Sequence, residues 1–158
     1  IAADGIINVQ GDEPFVDPAQ LEQLTRLISE PEVSIATLAK EITDSSTLFD
    51  PSKVKVIFDA HGRALYFSRQ AIPYQRDKRQ EDWLKHHTYF KHIGLYAYKP
   101  DTLRAICHLQ PSELEKAESL EQLRWLENGY SIAVAVTDIE TPSVDTPADL
   151  ESILNNLP

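Results

Sequence analysis

Apolar and polar positions follow two periods along this chain. Strict alternation, the period of a half-buried strand, is clearest over residues 89–98. There His92, Gly94, Tyr96 and Tyr98 fall on one face and Ile93, Leu95 and Ala97 on the other. Residues 33–42 alternate and are β-branched, which predicts a second strand, and 132–136 predict a further one. Residues 54–58, a turn at Ala60-His-Gly-Arg63 and residues 64–68 predict a hairpin. The apolar run 5–9 stops at Gly11 and Pro14 and is expected to be a buried central strand that delivers Asp12 to its C-terminal tip. Helical spacing places Leu21, Leu24, Leu27 and Ile28 on one face of 18–29, with Asp17 as the cap and Pro18 in the first turn. The same period predicts a helix over 101–109 capped by Asp101, and one over 119–127 with Leu120, Leu123 and Leu126 inward and Gly129 ending it. A last helix is predicted over 147–157, carrying Leu150, Ile153, Leu154 and Leu157. Residues 70–91 are polar and irregular around Pro73, with a short helix near 81–85. Strands and helices mixed in this way predict one three-layer α/β domain over 1–158.

Composition narrows the function. The chain has 158 residues, 42% of them hydrophobic, enough for a folded core. Fifteen basic and 25 acidic residues leave a formal charge of −10, which repels a nucleic-acid backbone. A small anion held through a cation stays possible, because the cation reverses the local field. Cys107 is the single cysteine, so no intrachain disulfide forms, and a cytoplasmic location is expected. No membrane span or signal peptide is legible. The sequence has no methionine and opens within a few residues of a strand, so it is expected to be the C-terminal portion of a longer protein.

Two acidic motifs carry the sharpest candidate chemistry. Asp12 stands at the expected strand tip, where open α/β sheets bind ligands, and Gly11 beside it permits close backbone approach. Asp145 precedes Thr146-Pro147 at the start of the last predicted helix. Two such carboxylates can share one hard cation that holds phosphates, although each also reads as an ordinary turn or helix-start acid. Gln10 can hydrogen-bond a base or sugar. Arg69, at the end of the hairpin, can grip a carboxylate in bidentate fashion or simply face solvent. His92 is either a satisfied sheet histidine or a ligand contact. His61, His86 and His87 are expected at the surface; His108 ends a predicted helix, where the dipole favours it, and with Cys107 it makes no metal spacing, so zinc is disfavoured. Residues 69–91 hold six Lys/Arg and three Asp/Glu, a basic stretch in an acidic chain that suits an anionic substrate, an acidic partner or solvent. No phosphate-binding glycine loop, nucleophile elbow or Cys/His pair is present, which leaves positioning and a metal as the mechanism.

Five segments, in order and at fitting intervals, resemble one family. They are Val9-Gln-Gly-Asp-Glu-Pro14, Ala64-Leu-Tyr-Phe-Ser-Arg69 with Ile72-Pro73, His92-Ile-Gly-Leu-Tyr96, Leu120-Glu-Gln-Leu-Arg124 and Val144-Asp-Thr-Pro-Ala-Asp-Leu150. Together they resemble the 3-deoxy-manno-octulosonate (Kdo) cytidylyltransferases, or CMP-Kdo synthetases, from about Gly5 to Leu150. The resemblance implies a nucleotide-diphospho-sugar transferase fold, a homodimer and a Mg²⁺-dependent reaction. In it the anomeric hydroxyl of Kdo attacks the α-phosphate of CTP to give CMP-Kdo and pyrophosphate for lipopolysaccharide synthesis. By position it implies Asp12 and Asp145 as catalytic, metal-binding aspartates and Gln10 as a nucleotide contact. It implies Arg69, His92, Glu121 and Gln122 as residues lining the Kdo site, with Tyr96 adding a wall or a hydroxyl. The family's N-terminal Gly/Arg/Lys-rich loop, which cradles the triphosphate, has no counterpart here, so this portion alone is expected to be inactive. A sialic-acid-type cytidylyltransferase and a non-catalytic dimerisation or sugar-acid-binding module are the alternative readings. The stretch 54–98 is expected to supply dimer contacts, because Tyr66, Phe67, Ile72, Tyr74, Trp83 and Phe90 offer more apolar surface than an excursion can bury.

Overall fold

The computed structural model describes residues 3–9 and 16–139. Its centre is a six-stranded mixed sheet of β1 (Ile6–Asn8), β2 (Ile35–Ile42), β3 (Lys55–Phe58), β4 (Ala64–Ser68), β5 (Tyr89–Tyr98) and β6 (Ala133–Val136). The order is β4-β3-β5-β2-β6, with β1 also paired to β5. The central element is therefore β5, and the run 5–9 is a short strand whose first residue Ile6 and the following Val9 are 36% and 45% exposed rather than buried. The physical reason is length and periodicity: β5 is ten residues long and has apolar side chains to bury on both faces.

The alternation of β5 sorts the two faces as expected. Ile93, Leu95 and Ala97 pack with Ala36 and Leu38 of β2 under α1 (Pro18–Ser29), through Leu24 and Ile28. The Asp17 carboxylate accepts from the Ala19 N–H, and Gln20 completes a capping box. Tyr96 and Tyr98 point to the opposite face, where Leu120, Leu123 and Trp125 cover them. This third layer holds α4 (Pro100–Ile106), α5 (Glu113–Glu118) and α6 (Glu121–Glu127). A smaller cluster joins Ile42, Leu48, Trp83 and Tyr89, and contains α2 (Ser45–Phe49) and α3 (Trp83–His86).

The differences from expectation lie at helix ends. The helix predicted over 101–109 is α4, which starts at Pro100; Lys99 is its cap residue, and Asp101 lies in its first turn bonded to Arg104. The single helix predicted over 119–127 is α6, preceded by a separate α5. Ser119 between them takes φ +53°, the left-handed turn that ends α5. At the hairpin tip Gly62 has φ +72°, and an added Cβ would lie 3.1 Å from the Val134 carbonyl. Only glycine fits both demands there, and the Gly62 carbonyl accepts from the Val134 N–H at 2.7 Å, tying the hairpin to β6. The predicted helix 147–157 lies outside the described residues.

Candidate functional site

The site grows from the face of β5 that α6 covers. His92 stands nearly perpendicular to Phe67 at 5.1 Å between ring centroids and lies 5.3 Å from Tyr96. Tyr96 stacks on Tyr98 at 5.8 Å, and Trp125 of α6 stands edge-on to both, at 5.2 and 5.7 Å. The result is an aromatic wall with few polar atoms. A buried polar atom on such a wall must find a partner or cost about 1–3 kcal/mol. The Tyr96 hydroxyl is buried and has no hydrogen-bond partner among the described residues. Burial raises its pKa well above the ordinary phenol value, with Tyr98 and the Glu121 carboxylate adding to the rise. His92 is half-buried as a residue, but burial of its imidazole lowers its pKa to about 3, so the ring is neutral. Its Nε2 lies 3.0 Å from the Thr37 hydroxyl.

Glu121 and Gln122 are the first two residues of α6. Gln122 is buried and lies one helical turn from Trp125, so it shares the side that packs on Tyr96 and Tyr98. Glu121 is exposed, lies 3.6 Å from Arg124, and is close enough to raise the pKa of both tyrosines. The fold thus gathers four expected residues, His92, Tyr96, Glu121 and Gln122, around one β5–α6 face.

Arg69 has a different setting from the one expected. Its Nε donates to the Glu118 carbonyl at 2.7 Å, Nη1 to the Pro51 carbonyl at 3.1 Å and Nη2 to the Ser119 carbonyl at 3.3 Å. The end of α5 leaves carbonyls without helical partners, and the guanidinium takes two of them. The Glu118 carboxylate answers by accepting from the Ser68 hydroxyl at 2.7 Å and from the Arg69 N–H at 3.0 Å. Arg69 therefore clamps the corner from which α6 starts, and only its remaining N–H donors are left for a ligand. Beside it Lys55 is fully buried, and burial lowers its pKa. Its Nζ donates to the Asp50 carbonyl at 2.8 Å and also to that of Lys53.

Gln10, Asp12 and Asp145 lie outside the described residues. Among the described residues no group of three or more His, Cys, Asp or Glu side chains could hold a metal ion. His61, His86 and His87 are exposed, as expected, and so is His108. Sequence reasoning missed Thr37, Lys55 and Glu118. Thr37 left a signal, a polar residue inside the apolar run Ile35-Ala-Thr-Leu-Ala39. Lys55 and Glu118 left none, because lysine and glutamate ordinarily stay exposed.

Comparison with known proteins gives this face a family. A 3-deoxy-manno-octulosonate cytidylyltransferase of Cytophaga hutchinsonii is 60% identical over 148 residues, covering 93% of this chain and 59% of that protein. The solved structure of CMP:2-keto-3-deoxy-manno-octonic acid synthetase complexed with CTP is 40% identical, with a TM-score of 0.87, and covers 97% of this chain and 61% of the other. An inositol-1-phosphate CTP transferase from T. maritima, 16% identical with a TM-score of 0.59, shares the fold over 98% of this chain and 54% of its own. The chain thus spans about 60% of the length of the curated relatives it matches. The family model for cytidylyltransferases matches residues 2–136, and the chain belongs to that family, with its nucleotide-diphospho-sugar transferase fold.

Proposed function

We propose that the protein carrying this chain transfers CMP from CTP to Kdo for lipopolysaccharide synthesis. The anomeric oxygen of the sugar acid attacks the α-phosphorus, the bond to the β-phosphate oxygen breaks, pyrophosphate leaves, and the hydroxyl proton passes to solvent. The observation that carries this reading is the convergence of His92, Tyr96, Glu121 and Gln122 on one face of a chain 60% identical to a relative of that name. In this reading the chain's own residues bind and orient the sugar acid. The Tyr96 hydroxyl, without a partner among the described residues, and neutral His92 offer hydrogen bonds to its hydroxyls, and Gln122 supplies an amide beside them. Arg69 holds the corner that presents α6 and offers its remaining donors to the carboxylate. Mg²⁺ is the proposed cofactor, with Asp12 and Asp145 as its ligands and Gln10 toward the nucleotide; the ion would offset the charge of the triphosphate.

A homodimer is part of the same proposal. The premise for the 54–98 contact narrows, because Phe67 and Trp83 are buried within the chain and Tyr66, Ile72 and Phe90 are half-buried. What supports it is an apolar cleft of about 250 Å³ lined by Val56–Phe58, Ile72, Pro73 and His87–Phe90. It opens because β3 pairs with β5 only at Lys55↔Lys91 and the strands then part. Leu65 and Tyr74, 59% and 71% exposed, are the most exposed large apolar residues described, and both fall in the same stretch.

The test is pyrophosphate release with CTP and Mg²⁺, using the full-length protein and residues 1–158 in parallel. Turnover with Kdo, little with N-acetylneuraminate and little from 1–158 alone are expected. Equal rates with the two sugar acids would move the reading to the sialic-acid type. No turnover with either would leave a binding module.

A further inference from the structure

The sheet has an irregularity where its most constrained polar group sits. Between β2 and β5 the register runs Thr37↔Tyr96 and then Leu38↔Ile93, so Gly94 and Leu95 form a bulge opposite Thr37. The Thr37 side chain is fully buried there. Its hydroxyl oxygen lies 2.8 Å from the Leu95 carbonyl, 3.1 Å from the Ile93 carbonyl and 3.0 Å from His92 Nε2. These three distances have one consistent assignment. Carbonyl oxygens only accept, so the single hydroxyl proton must point to them; otherwise two oxygen lone pairs would face each other at 2.8 Å. The hydroxyl is then the acceptor toward Nε2, and Nε2 must carry the imidazole proton.

We propose that Thr37 is a positioning residue that holds His92 as the neutral Nε2–H tautomer, leaving Nδ1 as the ring's only acceptor nitrogen. The bulge makes this possible by bringing two carbonyls to one hydroxyl. The rings of Phe67 and Tyr96, 5.1 and 5.3 Å from the imidazole between centroids, pack against it. Burial, which keeps the imidazole neutral, agrees with the assignment. His92 then meets a ligand hydroxyl as an acceptor and not as a donor. The consequence for sugar-acid binding rests on the function proposed above; the tautomer itself does not.

The experiment is side-chain ¹⁵N–¹H NMR of the full-length protein, with the His92 signals assigned by their loss in His92→Asn. The wild type is expected to show the neutral Nε2–H pattern. Thr37→Val keeps the branched shape that suits a strand but lacks the hydroxyl, so the ring should lose its single tautomer, and Thr37→Ser should restore it. Kdo affinity, read as KM or by calorimetry, is expected to fall about 2- to 10-fold in Thr37→Val, the worth of one neutral hydrogen bond, and to recover in Thr37→Ser. A wild-type ring protonated on Nδ1 would overturn the proposal, and so would a Thr37→Val ring that keeps the Nε2–H pattern. A tautomer that behaves as expected in a protein that does not bind Kdo would instead overturn the function reading and leave the role of Thr37 standing.

Discussion

At the scale of single residues, the site is set by what burial does to titratable groups. His92 has a pKa of about 3 in the folded chain against an ordinary value of 6.5. In the unfolded chain the imidazole regains the ordinary value, so between these limits the unfolded state binds more protons. The neutral ring's contribution to stability is complete above about pH 6.5 and is lost as pH falls toward 3. The limiting slope for one such group is about 1.4 kcal/mol per pH unit. Urea titrations at pH 7.0 and 5.0 should therefore show a larger loss in the wild type than in His92→Asn, which has nothing to protonate. Equal losses would mean that the imidazole is solvated. The carboxylates whose pKa values are lowered by hydrogen bonds, among them Asp44 through Ser46 and Glu115 through Arg124, lose their contribution only at more acid pH. That separates their effect from that of His92.

At the scale of elements, α6 is the part of the site most open to manipulation. It is seven residues long, too short to be stable alone, and is held by what it buries. Leu123 is fully buried in the core cluster that contains Tyr96 and Tyr98, whereas Leu114 of the neighbouring α5 is 38% exposed. Leu123→Ala is expected to cost about 2–5 kcal/mol by leaving a cavity under the aromatic wall. Leu114→Ala should cost well under 1 kcal/mol. Chemical denaturation of the two variants checks the pair, and similar midpoints would show that α6 does not anchor the wall. Much of this level was legible. The helix 18–29 appears with its predicted cap and bounds, because Asp17, Pro18 and the leucine spacing all act within one or two turns. The helix α5 was missed although Ser112 and Glu115 spell a capping box, since its six residues carry no apolar stripe of their own. Likewise α2, capped by Asp44, is too short for a period to show.

For the molecule as a whole, the question is what meets the cleft where β3 and β5 part. If a second copy covers it, sedimentation velocity at micromolar concentration should give a dimer. Tyr74→Asp should shift it toward monomer, because Tyr74 is 71% exposed and a charge there costs little unless another surface covers it. A monomeric wild type would refute the dimer proposal.

The sequence by itself determined which side chains face which way. Alternation over 89–98 separated the His92–Tyr96–Tyr98 face from the Ile93–Leu95–Ala97 face, because side-chain direction in a strand is a local consequence of its pleat. The acidic balance and the ordered motifs were likewise local, and they sufficed for the family. Only the tertiary structure decided which acceptors each polar group meets. Thr37 and His92 are 55 positions apart and join only through the bulge. Arg69 and the Ser119 carbonyl are 50 apart and join only because α5 ends in a left-handed turn beside β4. No local pattern encodes such pairings, because a buried donor takes whichever backbone carbonyls the packed chain leaves without partners.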